Sequence, residues 1–161
     1  MPSHFIPVCQ RVYKGQAFHR KDLMEDLKRF FSTEDKFARH SGIELLDGGP
    51  GWAKARMRIE PYHLNGAGTV HGGAIFTLAD FAFAFASNSH GTLAMGINVS
   101  VSFVKAAIRG TLYADAKEQA LNPKLASYSV HITDDDNCTV AIFQGMVYRK
   151  NEPIIPVSSS S

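Results

Sequence analysis

Residues 72–86 read GGAIFTLADFAFAFA, an almost wholly apolar stretch in which Asp80 is the only ionisable residue. Read as an α-helix, the stretch places apolar side chains on nearly every side, which is typical of a helix enclosed by other elements. An ionised carboxylate costs several kcal/mol there unless it is paired or hydrogen-bonded. The sequence therefore predicts a buried helix in which Asp80 is retained for catalysis. The alternative is an Asp that caps or braces a neighbouring turn.

The composition is that of an ordinary globular protein. At 161 residues, with 45% hydrophobic and 20% charged residues, the chain suffices for one domain with its own core. Its net charge of +2 is too small to predict nucleic-acid binding. Cys9 and Cys138 lack a metal-ligand spacing, which predicts free thiols in a reducing compartment. We expect a cytoplasmic protein without a membrane span, because the N-terminus lacks a secretory pattern and no apolar run reaches about 18 residues.

Periodicity along the rest of the chain predicts an antiparallel sheet around that helix. A first helix is predicted over Arg20–Phe31, followed by a short one that Ser32 would cap. The long helix is predicted to span Gly72–Asn88. Alternating apolar residues predict strands at 43–46, 53–59, 95–103, 112–116, 128–132 and 138–148. Short turns between strands favour antiparallel pairing, so the predicted fold class is α+β, one sheet wrapped around one long central helix.

The predicted organisation has three parts. Residues 1–31 form an N-terminal extension with a helix, 32–150 form the main domain, and 151–161 form a flexible tail that ends in four serines. One sheet cannot enclose an apolar helix on every side, so the sequence also predicts a partner subunit.

A second motif lies directly before the long helix. Residues 63–73 read HLNGAGTVHGG, and Leu78-Ala79-Asp80 follows. With the later segments 96–105 and 141–149, this order and spacing resemble the hotdog-fold acyl-CoA thioesterases, in particular the phenylacetate-degradation (PaaI-type) branch. The resemblance extends over residues 32–150. It implies a hotdog fold, hydrolysis of an acyl- or aryl-acetyl-CoA thioester to free acid and CoA, and a homodimer. We expect the homodimer to assemble into a tetramer, with the dimer as the alternative that the sequence leaves open.

The resemblance also implies roles for single residues. Asp80 matches the family's acidic residue, which acts as general base on water or as nucleophile, and burial would raise its pKa toward the range that a base needs. Gly72 matches the position whose backbone N–H polarises the thioester carbonyl, at the positive end of the helix dipole. Asn65 matches a residue that binds or polarises the thioester, although Asn before Gly66 is also a common turn residue.

The separation of Gly72 and Asp80 constrains how they can act. Eight residues along a helix span about 12 Å, at about 1.5 Å per residue. One carbonyl cannot lie within about 3 Å of both groups on the same helix. If both act together, they belong to two chains whose helices run antiparallel. The chemistry therefore predicts a homodimer with active sites across its interface.

Four further residues are candidates for substrate binding. His71 and Gly73 belong to the His-Gly-Gly turn, and Asn98 lies near a position where relatives carry a small polar group that orients water. Thr77 lies one turn before Asp80 and can bond either that carboxylate or its own helix backbone. His71 and Asp80 face opposite sides of one helix, so they do not form a catalytic pair within one chain.

Other kinds of site are not predicted. His63 and His71 flank the loop without a metal-ligand spacing, so we expect no metal, and no cofactor beyond the CoA of the substrate. A serine-hydrolase elbow and a dinucleotide fingerprint in βαβ context are both missing. Two alternatives stay open. A non-catalytic acyl-CoA-binding protein would not need an activated carboxylate, and a hydratase or dehydratase of this fold would need a His beside the acid.

Overall fold

Six strands pair antiparallel into one sheet in a computed structural model that describes residues 20–155 of the chain. The strands are β1 (Ile43–Gly49), β2 (Trp52–Arg58), β3 (Thr92–Phe103), β4 (Thr111–Leu121), β5 (Leu125–Thr133) and β6 (Thr139–Pro153). Their order across the sheet is β1-β2-β4-β5-β6-β3, so β1 and β3 are its edges. The predicted number and pairing of the strands are confirmed. Most strands are longer than predicted, because the backbone pairing continues through small and polar residues beyond the segments of alternating apolar residues.

The helices are α1 (Arg20–Glu34), α2 (Lys36–His40) and α3 (Gly72–Asn88), with a 3-10 turn at Pro61–His63. The bounds of α3 are those predicted, and α3 packs against all six strands of the sheet, as the wrapped architecture requires. The predicted cap of the second helix is wrong. Ser32 lies inside α1, and Asp35 caps α2, because its carboxylate accepts the Ala38 N–H at 3.0 Å. No helix within residues 20–155 has the length and apolarity that a membrane crossing requires.

Helix α1 belongs to the core of the domain. Leu27 is fully buried and Phe31 nearly so. The Phe31 ring makes an edge contact with Phe85 of α3 at a centroid distance of 5.3 Å. The boundary predicted between residues 31 and 32 therefore lies inside α1. The apolar side of this helix is buried in the core, where it packs against α3. Residues 1–19 of the predicted extension lie outside the described residues.

The predicted tail also overlaps the sheet. Strand β6 continues to Pro153, which pairs with Thr92 at the start of β3. The Ile154 N–H then bonds the Gly91 carbonyl at 3.3 Å. The pairing with β3 and the bond to Gly91 hold the first residues after Lys150 against the body of the protein. Residues 156–161 of the predicted tail lie outside the described residues.

One face of α3 is left uncovered by the sheet. Gly73 and Asp80 are exposed, and Thr77 and Ala84, on the same stripe, are half-buried. The prediction that Asp80 is buried is therefore wrong for the single chain. A sheet covers a helix from one side, so it encloses residues such as Leu78 and leaves the opposite stripe open.

Candidate active site

His71 organises the N-terminus of α3. It is the N-cap residue, and its ring Nδ1 accepts the Gly73 N–H at 2.8 Å. The His71 carbonyl accepts the N–H groups of Ala74 and Ile75 at 2.9 and 3.3 Å. Among residues 20–155, the Gly72 N–H meets no acceptor. The first turn therefore keeps one free backbone donor, at the positive end of the helix dipole.

Gly72 is held in a tight place. A Cβ on this residue would lie 2.9 Å from the Phe103 ring at the end of β3, a distance that side-chain carbons do not adopt without displacing the ring. A glycine also lets a ligand carbonyl approach the N–H closely. Gly72, the residue predicted to polarise a carbonyl, thus has a backbone N–H without an acceptor among residues 20–155. Phe103, which the sequence reasoning did not single out, lies directly beside it.

Asn65 braces the loop that leads into α3. Its side-chain oxygen accepts the N–H groups of Ala67 and Thr69 at 2.9 and 3.2 Å, and its side-chain nitrogen donates to the Thr69 hydroxyl at 2.9 Å. These contacts are those of the turn residue that the sequence allowed as an alternative. A direct contact of Asn65 with substrate stays a prediction.

An open groove of about 800 Å³ lies beside this helix end. Three of the predicted binding residues, His71, Gly73 and Thr77, line it together. Its other lining residues come from α2 and the segment after it, from the 3-10 turn and from α3, and they are Phe37, His40, Ser41, Tyr62, His63, Ala74 and Phe76. The groove is thus walled by aromatic rings and imidazoles and is adjacent to the free donor of Gly72.

The aromatic walls of the groove were missed by the sequence reasoning. Phe37 and Tyr62 are 67% and 66% exposed, although both are large aromatic residues. Phe37 follows the cap of α2, and Tyr62 lies in the 3-10 turn, so neither belongs to the motif that identified the loop. Only the position of Tyr62 beside the glycine-rich loop, in Pro61-Tyr62-His63, was a signal.

Asp80 lies outside the groove, one turn beyond Thr77 on the open face of α3. Its carboxylate makes no hydrogen bond or ion pair with any residue of the described segment. The Thr77 hydroxyl donates instead to the Gly73 carbonyl at 2.8 Å, which is the backbone alternative. Although the side chain is exposed, its carboxylate is partly desolvated by the surrounding protein. This partial desolvation raises the pKa of Asp80, and repulsion from Asp35 raises it further.

The remaining candidate, Asn98, lies on the exposed edge strand β3, where it pairs with Met146 of β6. It is not among the residues that line the groove. The single chain therefore brings together His71, Gly73 and Thr77 beside Gly72, and leaves Asp80 and Asn98 apart from them. Within the described residues, no group of three or more His, Cys, Asp or Glu side chains could hold a metal ion.

Comparison with known proteins identifies the family. The model of the thioesterase superfamily matches residues 67–141. The chain is 41% identical to a provisionally named esterase of Archaeoglobus fulgidus over 140 residues, which are 86% of this chain and 91% of the relative. It is 34% identical to the acyl-coenzyme A thioesterase PaaI of Escherichia coli K12 over 116 residues, or 71% of this chain and 83% of that protein. This chain belongs to the thioesterase superfamily, in its PaaI-type branch.

The solved structure of E. coli PaaI supports the same assignment for this thioesterase-superfamily member. It superposes with a TM-score of 0.77 at 30% identity, over 80% of this chain and 94% of that chain. The predicted hotdog fold is thereby confirmed, because the six-stranded antiparallel sheet around α3 is the architecture of these neighbours. The enzyme class is confirmed as well. The protein is a thioester hydrolase, which sets aside the hydratase alternative.

Proposed function

We propose that this enzyme hydrolyses an acyl-CoA or aryl-acetyl-CoA thioester to the free acid and CoA. The observation that carries the proposal is the N–H of Gly72, which has no acceptor among the described residues. It lies at the N-terminus of α3, between His71 and Gly73, which both line the groove. A thioester carbonyl needs such a donor where its negative charge develops. The name of the E. coli relative, acyl-coenzyme A thioesterase, supports CoA as the thiol of the substrate.

The reaction follows from these groups. The thioester oxygen accepts the Gly72 N–H, and the dipole of α3 stabilises the charge that forms on it. The Asp80 carboxylate takes a proton from a water molecule, whose oxygen bonds the carbonyl carbon. The carbon–sulfur bond then breaks, and the CoA thiolate leaves and takes up that proton. In the alternative, the Asp80 carboxylate itself attacks the carbonyl carbon, and the carbon–sulfur bond breaks with departure of the CoA thiolate. Water then hydrolyses the resulting anhydride to the free acid and the Asp80 carboxylate, and the proton it releases goes to the thiolate.

We further propose that the active site is completed by a second copy of the chain. Asp80 and Gly72 are eight residues apart on one helix, so each would serve a different site. Strand β3 supports this arrangement. It is an edge strand that exposes apolar side chains, Met95, Ile97 and Val99 among them, and such an edge can pair with another chain. The homodimer is part of this proposal, whereas its assembly into a tetramer stays a prediction.

The walls of the groove favour an apolar acyl group. Phe37, Tyr62 and Phe76 offer ring faces and edges against which an aryl or a medium-length alkyl chain can pack. His40 and His71 place polar atoms at the same groove. A panel of acyl-CoAs ranks these acyl groups by their rates of hydrolysis. The cytoplasmic location and the lack of a cofactor stay predictions from the sequence.

The test is the release of free CoA from a panel of acyl-CoAs. We expect the Asp80→Asn variant to lose roughly 10²–10⁴-fold in kcat while it stays folded, because Asn keeps the volume but cannot accept the proton. Asp136→Asn, in the exposed turn between β5 and β6, is the matched control and should hydrolyse like the wild type. Equal and negligible release by wild type and Asp80→Asn, with acyl-CoA still bound, would leave the non-catalytic binding protein as the better description.

A further inference from the structure

His63 takes no part in the proposed reaction, yet its ring is enclosed beneath the groove. The residue is 4% exposed. Its Nδ1 accepts the Glu60 N–H at 3.0 Å, and its Nε2 lies 2.9 Å from the Ser41 carbonyl oxygen. A nitrogen that accepts from a backbone N–H carries no proton, so the proton resides on Nε2, which donates to Ser41. The ring is therefore held as one neutral tautomer, with both nitrogens bonded.

The two hydrogen-bond partners of the ring belong to different segments of the chain. Ser41 follows α2 and lines the groove, whereas Glu60 precedes the 3-10 turn that carries Tyr62. The Tyr62 ring packs edge-on against His63, at a centroid distance of 4.3 Å. The His63 side chain thus links Ser41, at the end of α2, to Glu60, at the start of the 3-10 turn, through one hydrogen bond to each. Ser41 and His63 are 22 residues apart in the sequence.

The main chain of His63 extends this link to the helix end. Its carbonyl accepts the His71 N–H at 2.7 Å. His71 in turn caps α3 through its ring and its carbonyl, which leaves the Gly72 N–H free. Two successive hydrogen bonds, one to the His63 ring and one to its carbonyl, therefore connect Ser41 to His71, the residue that precedes the Gly72 N–H.

We infer that His63 is a positioning residue for the thioester carbonyl. By fixing the distance between the α2 wall and the N-cap of α3, it holds the substrate in the groove with its carbonyl at the Gly72 N–H. The inference rests on the proposed function for its kinetic consequence. The structural part, that the His63 ring holds His71 in place, does not depend on which substrate is used.

The expected kinetic effect concerns kcat more than KM. A misplacement of about 1 Å at a reacting group can cost on the order of 10²-fold in rate. The aromatic walls that bind the acyl group remain when His63 is changed. We therefore expect His63→Ala to lower kcat roughly 10- to 100-fold per folded molecule, with a smaller change in KM.

Two conservative variants separate the effects of the two hydrogen bonds that the His63 ring makes. Asn at position 63 places its amide near Nδ1 and can keep the bond from the Glu60 N–H, and Gln reaches toward Nε2 and can keep the bond to the Ser41 carbonyl. Both variants retain a polar group in the buried position, which favours folding. We expect each to have a kcat between those of His63→Ala and the wild type.

The matched control is Asn88→Ala, at the other end of α3. Asn88 is 3% exposed, and its side chain accepts the Ala94 N–H at 2.8 Å and donates to the Ala94 carbonyl at 3.0 Å. It too is a buried side chain that ties two backbone segments. Its loss should lower the thermal midpoint as the loss of His63 does, without lowering kcat per folded molecule.

Amide hydrogen exchange supplies the readout that needs no substrate. In His63→Ala the His71 amide should exchange faster while the Ala94 amide keeps its protection, and Asn88→Ala should show the reverse. An unchanged His71 amide in His63→Ala would overturn the inference, as would a kcat equal to that of the wild type in all three His63 variants. If the wild type hydrolyses no acyl-CoA, the proposed function has failed, and the exchange result alone decides for or against the positioning of His71.

Discussion

Asp80 carries a carboxylate that no other described group pairs, on the one face of α3 that the sheet leaves open. A carboxylate at an ordinary surface position keeps a pKa near that of a model peptide, and one in an ion pair has a lower pKa. The pKa of Asp80 is raised instead, first by desolvation and then by Asp35. Asp80 thus has the raised pKa that suits a general base. The pKa of Asp47, a carboxylate in an ion pair with Lys28, is lowered instead.

The pH dependence of turnover follows from that shift. Asp80 must be ionised to accept a proton, so kcat/KM should be full above its pKa and fall as the pH drops through it. Because the pKa is raised, this fall should occur above the ordinary value of 3.8. Asp35→Asn removes the smaller cause and should move the fall to lower pH. Asn is also a good N-cap residue, so α2 keeps its cap. A pH–rate profile whose acid limb does not move toward lower pH in Asp35→Asn would contradict the contribution of Asp35.

Gly72 has no room for a side chain beside the Phe103 ring, and the proposed reaction needs the same space. A Cβ would meet the Phe103 ring, and it would also stand where a thioester carbonyl must approach the N–H. We expect Gly72→Ala to lower both the thermal midpoint and kcat, the latter on the order of 10²-fold. Gly72→Ala combined with Phe103→Ala should recover the midpoint and leave kcat low. If the double variant recovers kcat, the packing of Phe103 alone explains the glycine.

Among the elements, α1 shows that the hotdog sheet does not supply the whole core. Its buried Leu27 and Phe31 pack toward α3, and Lys28 pairs with Asp47 of β1 at 2.9 Å. A helix this polar on its outer face is stabilised mainly by such packing. We propose that the folded domain includes α1, so that a domain boundary drawn at residue 32 would remove part of its core.

Truncation of a core side chain of α1 tests this proposal. Leu27→Ala should lower the free energy of unfolding by about 2–5 kcal/mol, since it removes a fully buried side chain and leaves a cavity. Leu46→Ala on β1, whose side chain is 46% exposed, is the control and should change that free energy by roughly 0.5 kcal/mol or less. Denaturant unfolding measures both. A Leu27→Ala variant as stable as the control would mean that α1 is a dispensable appendage.

For the whole molecule, the open stripe of α3 and the exposed edge strand β3 are two surfaces that residues 20–155 leave uncovered. Apolar residues on an unpaired edge predict association with another strand. Pairing of two copies through a two-fold axis would place the same groups on both sides of one interface. Two equivalent sites, each with Gly72 from one chain and Asp80 from the other, would follow.

Mixed dimers test the shared site. Asp80→Asn chains and Gly72→Ala chains are each expected to retain about 1% or less of the wild-type turnover when expressed alone. When they are co-expressed, about half of the dimers should be mixed and each should contain one intact site, which restores about a quarter of the wild-type turnover. The control is Asp80→Asn co-expressed with Asp80→Ala, in which every site lacks the carboxylate. No recovery in the first mixture would place both groups of a site in the same chain.

The sequence predicted the parts of this protein that depend on neighbours along the chain. The bounds of α3 follow from a continuous apolar run that begins at Gly72, after a His-Gly-Gly turn, and the strands follow from alternation of period two. The cap of α2 was misplaced, because Ser32 and Asp35 offer similar local signals and only the orientation of the Asp35 carboxylate separates them. Within the candidate site, the spacing of Gly72 and Asp80 was informative because a helix has a known rise.

The tertiary structure decided the contacts between segments that are distant in the sequence. It placed Asp80 on an open face instead of in the core, because one sheet covers a helix from one side only. It brought Phe37 and Tyr62 together as walls of a groove, and it tied Ser41 to His63 across a strand pair. The hydrophobic periodicity of the sequence does not predict these two contacts, since each depends on how α2, the sheet and the loop pack in three dimensions. The chemistry of the motif was therefore readable from the chain, whereas the shape that presents it to a substrate was set by the fold.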